Sequence, residues 1–222
     1  MKGYTKIMKV GIFDSGLGAK LVTNNLRRIL PQLEYQIATD QAHAPYGERS
    51  PEEVARLTEA AIKPLLSDCS IIILACNTAT AAAIEKLRSK YPSKIFIGFE
   101  PMVKPAAAIS TNKHISMLAT RATSSSYRTQ QLIERYGREL VIDTPDTTSW
   151  ASKIDAGSSE SINFDQLERS IKAGSDTIII GCTHYIKLMP KLEKLFPTVR
   201  LLEPSEAVAQ RLAKLLNAEP PR

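Results

Sequence analysis

SIIILACNT at residues 70–78 and DTIIIGCTH at residues 176–184 repeat one pattern. In each, an unbroken aliphatic run ends in a cysteine, and two compact hydrogen-bonding residues follow. A short run of Ile and Leu with no polar alternation suits a strand buried on both faces, as in a parallel sheet covered by helices. The two cysteines stand a little under half the chain apart. A fainter pair, VGIFDSGLG (10–18) and ISMLATRAT (115–123), lies ahead of them in the same order. Two similar α/β halves facing one another would bring both cysteine-bearing strand ends to one cleft.

Outward from these stretches, apolar runs alternate with amphipathic ones. Strands are expected at about 7–13, 35–39, 70–76, 95–99, 114–119, 139–143, 176–182 and 198–203. Helices are expected at about 17–30, 51–67, 78–90, 124–136, 164–173, 185–196 and 205–217. One helix start is sharply marked, with Ser50 as N-cap, Pro51 in the first turn and Glu53 completing a capping box. The alternation predicts the α/β class, parallel sheets with ligands at the carboxyl ends of the strands; together with the repeat it suggests two pseudo-symmetric parallel-sheet domains with the active site in the cleft between them. The first domain is drawn over 1–99 plus 205–222 and the second over 100–204. The stretch 144–161 is polar and poor in apolar anchors, and reads as a mobile loop. Its Trp150 reads as partly buried packing.

The chain carries 29 Lys and Arg against 23 Asp and Glu, a formal charge of +6. These cations are scattered among acids with no aromatic-interleaved stripe, so no nucleic-acid partner is expected. No apolar run approaches the roughly 20 residues that cross a bilayer, and no signal peptide is apparent, so a cytoplasmic protein without a membrane partner is expected. Three cysteines at irregular spacing make no disulfide framework, and neither CxxC nor HExxH occurs, so no metal site is expected. There is no GxGxxG or GxxxxGK[ST] loop for a nucleotide.

A thiol at a strand's carboxyl end beside a helix N-terminus is placed to ionise, because free N–H groups favour the thiolate. From a pKa of about 8.5, a downward shift of about 1.5 units would suffice, roughly 2 kcal/mol. One such cysteine reads as a small hydrophobe closing a core strand; two in matching settings point to chemistry. Cys69, between Asp68 and Ser70, lacks the setting and reads as structural. Two opposed thiols suit inversion of a stereocentre, with a base on one face of the carbon and an acid on the other. Asp14 is a candidate partner for one thiol and His184 for the other. The surrounding loops offer compact donors for a small anion or zwitterion: Ser15, Asn77, Thr78, Thr120, Thr123 and Thr183. Pro45-Tyr46-Gly47 reads as a turn whose amides would hold a carboxylate.

Taken in order, GIFDSGLG (11–18), APYGERS (44–50), ACNTAT (75–80), ATRAT (119–123) and GCTHY (181–185) resemble the glutamate racemase family within the aspartate/glutamate racemases. The resemblance implies interconversion of L- and D-glutamate, supplying D-glutamate for peptidoglycan, with no cofactor, neither pyridoxal phosphate nor metal. By matching motif, Cys182 would take the α-proton of the L-enantiomer and Cys76 that of the D-enantiomer, with Asp14 supporting Cys76 and His184 supporting Cys182. Asp14, Ser15, Tyr46, Gly47, Asn77, Thr78, Thr183 and His184 would bind substrate, and Thr120 and Thr123 would line the cleft. A homodimer is compatible with the resemblance. The chain departs from the family pattern at Ala19 and Lys20 after GLG, at His43 where arginine is common, and at Asp155 where a glutamate is expected. It also ends earlier than typical members, so a thinner flank on the first domain is expected. Two rival readings stand beside this one. The first is an aspartate or other racemase or isomerase of the superfamily, since one methylene is worth only about 1–3 kcal/mol of discrimination. The second is a non-catalytic amino-acid-binding protein.

Overall fold

The computed structural model describes residues 9–217; the ends of the expected first strand (7 and 8) and of the first domain (1–8, 218–222) lie outside the described residues. The first half runs β1 (Lys9–Asp14), α1 (Gly18–Ile29), β2 (Glu34–Thr39), α2 (Pro51–Ala61), α3 (Lys63–Asp68), β3 (Ile71–Leu74), α4 (Asn77–Lys90) and β4 (Ile95–Gly98). The second runs α5 (Val103–Ile109), β5 (His114–Ala119), α6 (Arg121–Ser124), α7 (Tyr127–Tyr136), β6 (Val141–Asp143), α8 (Trp150–Asp155), α9 (Asp165–Lys172), β7 (Thr177–Gly181), α10 (Met189–Leu195) and β8 (Arg200–Leu202). The last helix is α11 (Ser205–Asn217).

The strands form two four-stranded sheets, ordered β2-β1-β3-β4 and β6-β5-β7-β8, and every pairing is parallel. Each sheet therefore repeats the same winding, and the two cysteines follow equivalent strands, β3 and β7, each beside the first strand of its half. The aliphatic runs are buried on both faces, as their composition predicts. Ile72 and Leu74 join one apolar cluster and Ile71, Ile73 and Ala75 the opposite one. In the second sheet Ile178 and Ile180 face one way and Ile179 the other. This is the period of two expected of a strand packed between helices. Val208, Ala209 and Leu212 of α11 pack with Val10, Ile12 and Val22, so the last helix covers the first sheet.

Local chemistry explains the boundaries. Ser50 accepts the Glu53 N–H at 3.2 Å and starts α2 as read from the sequence. The single helix expected over 51–67 is instead two, broken at Ile62, because Pro64 has no N–H to continue the first and sits comfortably in the opening turn of the second. The stretch 185–196 begins as a 3-10 turn, Thr183–Leu188, before α10. The stretch 144–161 is not a structureless loop. It contains α8, whose Trp150, Ala151 and Ile154 are buried, and Trp150 stands edge-on to Phe164 and Tyr185 with centroids 5.2 and 5.5 Å away. Trp150 is thus a core residue of the second half, only 4% exposed.

Candidate functional site

Both cysteines sit where a parallel strand stops. Cys76 is the N-cap of α4, and its Sγ accepts the Ala79 N–H at 3.4 Å. The Ser15 hydroxyl lies 3.6 Å from the same sulfur. Cys182 precedes the 3-10 turn, with His184 Nδ1 at 3.8 Å from its sulfur. Both residues are buried, and they are near enough that charge on Cys76 raises the pKa of Cys182.

The expected thiolate stabilisation is overturned. Burial pushes the Cys76 thiol up to about 11, with the Asp14 carboxylate adding to the rise and the Ala79 N–H and Ser15 opposing it. Cys182 is raised further by burial and then by Cys76, while the N–H groups of His184 and Tyr185 pull it down without forming a capping bond. The helix terminus is present at Cys76, but loss of water outweighs it. Both thiols are accordingly protonated in the free protein at neutral pH.

Asp14, fully buried at the end of β1, accepts the Gly16 N–H at 2.8 Å and the Thr183 hydroxyl at 2.7 Å. It therefore ties the first sheet to the loop that carries Cys182, and its influence on Cys76 runs through charge and not a hydrogen bond. A Cβ on Gly18 would lie 2.2 Å from Thr183 Oγ1, so the two halves meet here at backbone distance. A second seam is built from hydroxyls. Thr78 Oγ1 lies 3.0 Å from Thr120 Oγ1 and 3.1 Å from Thr123 Oγ1, joining the first turn of α4 to the cap of α6. Gly47 rests against Thr120, where a Cβ would come within 2.8 Å of the threonine's Cβ. Asn77 is buried, and neither atom of its side-chain amide finds a hydrogen-bond partner among the described residues. An unpaired buried amide is costly unless a ligand meets it. Beyond the hydroxyl seam opens a cavity of about 710 Å³, whose walls include Gly47, Thr78, Thr120, Thr147 and Tyr185.

His184 Nε2 faces Asp155 Oδ2 at 3.3 Å without hydrogen-bond alignment. Asp155 reaches the site from α8, the helix not foreseen. Thr147 and Tyr185 were also missed: the Thr147 hydroxyl donates to the Ala119 carbonyl at 2.7 Å and the Tyr185 hydroxyl to the Thr147 carbonyl at 3.3 Å. Of the residues singled out from the sequence, Asp14, Gly47, Thr78, Thr120, Thr123 and Thr183 meet along these seams. His43 is exposed and pairs with Asp40 at 2.7 Å. Among the described residues no group of three or more His, Cys, Asp or Glu is arranged to hold a metal ion, and no helix is long and apolar enough to cross a membrane.

Residues 19–212 match the family model described as Asp/Glu/Hydantoin racemase. The chain belongs to that family. Among curated relatives, the glutamate racemase of Ectopseudomonas mendocina is 37% identical over 215 residues, covering 94% of this chain and 82% of its own. Among solved structures, Escherichia coli glutamate racemase in complex with L-glutamate and the activator UDP-MurNAc-ala superposes with a TM-score of 0.84 at 31% identity, over 96% of this chain and 84% of that one. Glutamate racemase from Francisella tularensis in complex with D-glutamate gives 0.74 at 26% identity, over 95% and 81%.

Proposed function

We propose that the protein racemises glutamate without a cofactor, Cys76 and Cys182 serving as the two acid–base groups, and that in the cell it supplies D-glutamate for peptidoglycan. One observation carries this reading: two buried thiols end equivalent strands of equivalent sheets, near enough that charge on Cys76 raises the Cys182 thiol. Starting from L-glutamate, the thiolate of Cys182 takes the α-proton and the thiol of Cys76 delivers one to the opposite face; from D-glutamate the roles reverse. The raised thiol pKa values fit a substrate that brings its own positive charge, since an α-ammonium between the sulfurs favours the thiolate that burial disfavours. A pKa nearer that of a carbon acid also makes the thiolate a stronger base.

His184 supports Cys182 through Nδ1, with Asp155 behind it, and Asp14 fixes the Thr183 side of the cleft. Ser15, Asn77, Thr78, Thr120, Thr123, Thr183 and the Tyr46-Gly47 backbone bind the substrate's carboxylates and ammonium, and the unpaired amide of Asn77 is the most exacting of these groups. The same reading divides the chain into a first domain of 1–99 plus 205–222 and a second of 100–204, supported by the packing of α11 on the first sheet. The direct test is chiral chromatography of L-glutamate incubated with purified protein and reductant. Progress to a 1:1 mixture of enantiomers is expected; no D-glutamate, with turnover of L-aspartate instead, would move the substrate one methylene shorter.

A further inference from the structure

Resting on that reading, we propose that Asp40 is a positioning residue for substrate binding, acting through the Tyr46-Gly47 backbone without touching substrate itself. Asp40 follows β2 directly, where Thr39 pairs with Asp14. From there its carboxylate, 13% exposed, uses both oxygens on the same loop. Oδ2 accepts the Tyr46 hydroxyl at 2.7 Å, and Oδ1 meets His43 Nδ1 at 2.7 Å. Tyr46 is 1% exposed and tilted against Phe13, with centroids 6.3 Å apart, so its ring is already held by packing. The hydroxyl bond fixes the remaining freedom. On the far side Arg49 Nε donates to the His43 carbonyl at 2.8 Å, and Arg49 is held by Glu53 of α2. The segment 43–49 is thus clamped at both ends.

The clamped segment sets the position of Gly47, which abuts Thr120 of the other half, and Thr120 in turn bonds Thr78. A shift of this loop moves the wall of the binding cleft while leaving the two sulfurs on their own strand ends. A change at Asp40 is therefore expected in KM and not in kcat. Asparagine keeps an amide oxygen and an amide N–H to meet Tyr46 and the His43 ring, whereas alanine removes both contacts.

The test measures kcat and KM for both enantiomers in Asp40→Ala and Asp40→Asn, with circular dichroism to confirm folding. Asp40→Ala is expected to raise KM about tenfold with kcat within about twofold of the parent, and Asp40→Asn to restore KM to within about threefold. An unchanged KM in folded Asp40→Ala, or a loss confined to kcat, overturns the proposal. If Asp40→Ala does not fold, Tyr46→Phe removes the Oδ2 contact from the other end: a rise in KM of several-fold supports the assignment and an unchanged KM overturns it. Calorimetric titration with L-glutamate separates this from the functional reading. Binding without turnover by the parent, weakened about tenfold in Asp40→Ala, would retain the positioning role and sink the racemase. A parent that neither binds nor turns over glutamate would remove both.

Discussion

Replacing Gly18 by alanine should separate the two halves of the active site more than it destabilises the fold. A Cβ there would lie 2.2 Å from Thr183 Oγ1, 2.5 Å from Thr183 Cβ and 2.8 Å from Asp14 Cγ, where ordinary contact begins near 3.4 Å. Relief thus requires a movement of about 1 Å, and Thr183 cannot rotate out of the way, because its Cβ is itself in the path. Misplacement on that scale costs on the order of 10²-fold in rate when it falls between reacting groups. The clash lies between the first turn of α1 and the loop carrying Cys182, so opening of the cleft relieves it while each sheet stays intact. The main loss in stability is the Thr183–Asp14 hydrogen bond, about 1.5–3 kcal/mol for a charged acceptor, or a fall in Tm of roughly 3–12 °C for a chain of this size. Gly157→Ala is the matched control: it meets no atom within 4 Å but has a φ of +72°, so it should lower stability by about 1–2 kcal/mol through backbone strain and leave turnover alone. Thermal unfolding and kcat/KM on both variants decide the matter. Full activity with an unchanged Tm in Gly18→Ala would refute the close approach of the two halves at this point.

Cys76→Ser and Cys182→Ser should each lower racemisation by about 10²–10⁴-fold, while Cys69→Ser, whose thiol lies outside the cleft, should retain activity; a folded Cys69→Ser variant without turnover would contradict the assignment of the thiols. With Cys76 raised to about 11, kcat/KM should climb by close to tenfold per pH unit from pH 7 to 9, and a plateau setting in below pH 8.5 would show that burial does not dominate the thiols. Because racemisation has an equilibrium constant of one, this profile must be the same from either enantiomer. In acid, Asp143 and Asp176 should govern stability. The Ser170 hydroxyl, then His114, hold the Asp143 carboxyl below its usual range against the effect of burial, and N–H and hydroxyl donors of Asn112 and Thr111 outweigh burial to do the same for Asp176. Depressed carboxyl pKa values stabilise the fold above the unfolded value near 3.9 and lose that effect as pH falls through the folded value. The urea midpoint should therefore drop below about pH 4, and Asp143→Asn or Asp176→Asn should flatten the drop; parallel curves for parent and variants would count against it.

Much of the architecture is legible in two aliphatic runs. Ile71–Leu74 and Thr177–Gly181 are too short and too uniformly apolar to be anything but strands covered on both faces, and the repeated Cys-polar-polar ending points to a shared cleft. What escaped the sequence has identifiable causes. The helix Trp150–Asp155 is six residues long, less than two turns, so its buried Trp150, Ala151 and Ile154 cannot establish a period against a background of Ser, Thr and Asp. The helix Val103–Ile109 carries Pro105, which reads as a breaker yet sits harmlessly in the first turn, where no intrahelical N–H is needed. The direction of the thiol pKa shift was misread because a helix N-terminus is visible in sequence and depth of burial is not. Asp40 gave no signal of its own: its role arises from two contacts across a folded loop, and an isolated Asp before a turn looks like any other.

Two thiols on opposite faces of the α-carbon leave a different isotope record from one shared group, and tracing in D2O reads that record. L-glutamate is incubated with the protein to low conversion, and each enantiomer is recovered and its α-position examined by NMR or mass spectrometry. Two monoprotic thiols predict D-glutamate carrying solvent deuterium almost completely, while unconverted L-glutamate retains its α-proton, because the proton removed by Cys182 is not the one returned by Cys76. D-glutamate retaining the original proton, or deuterium entering unconverted L-glutamate as fast as the product forms, would place one group on both faces and contradict the two-thiol account.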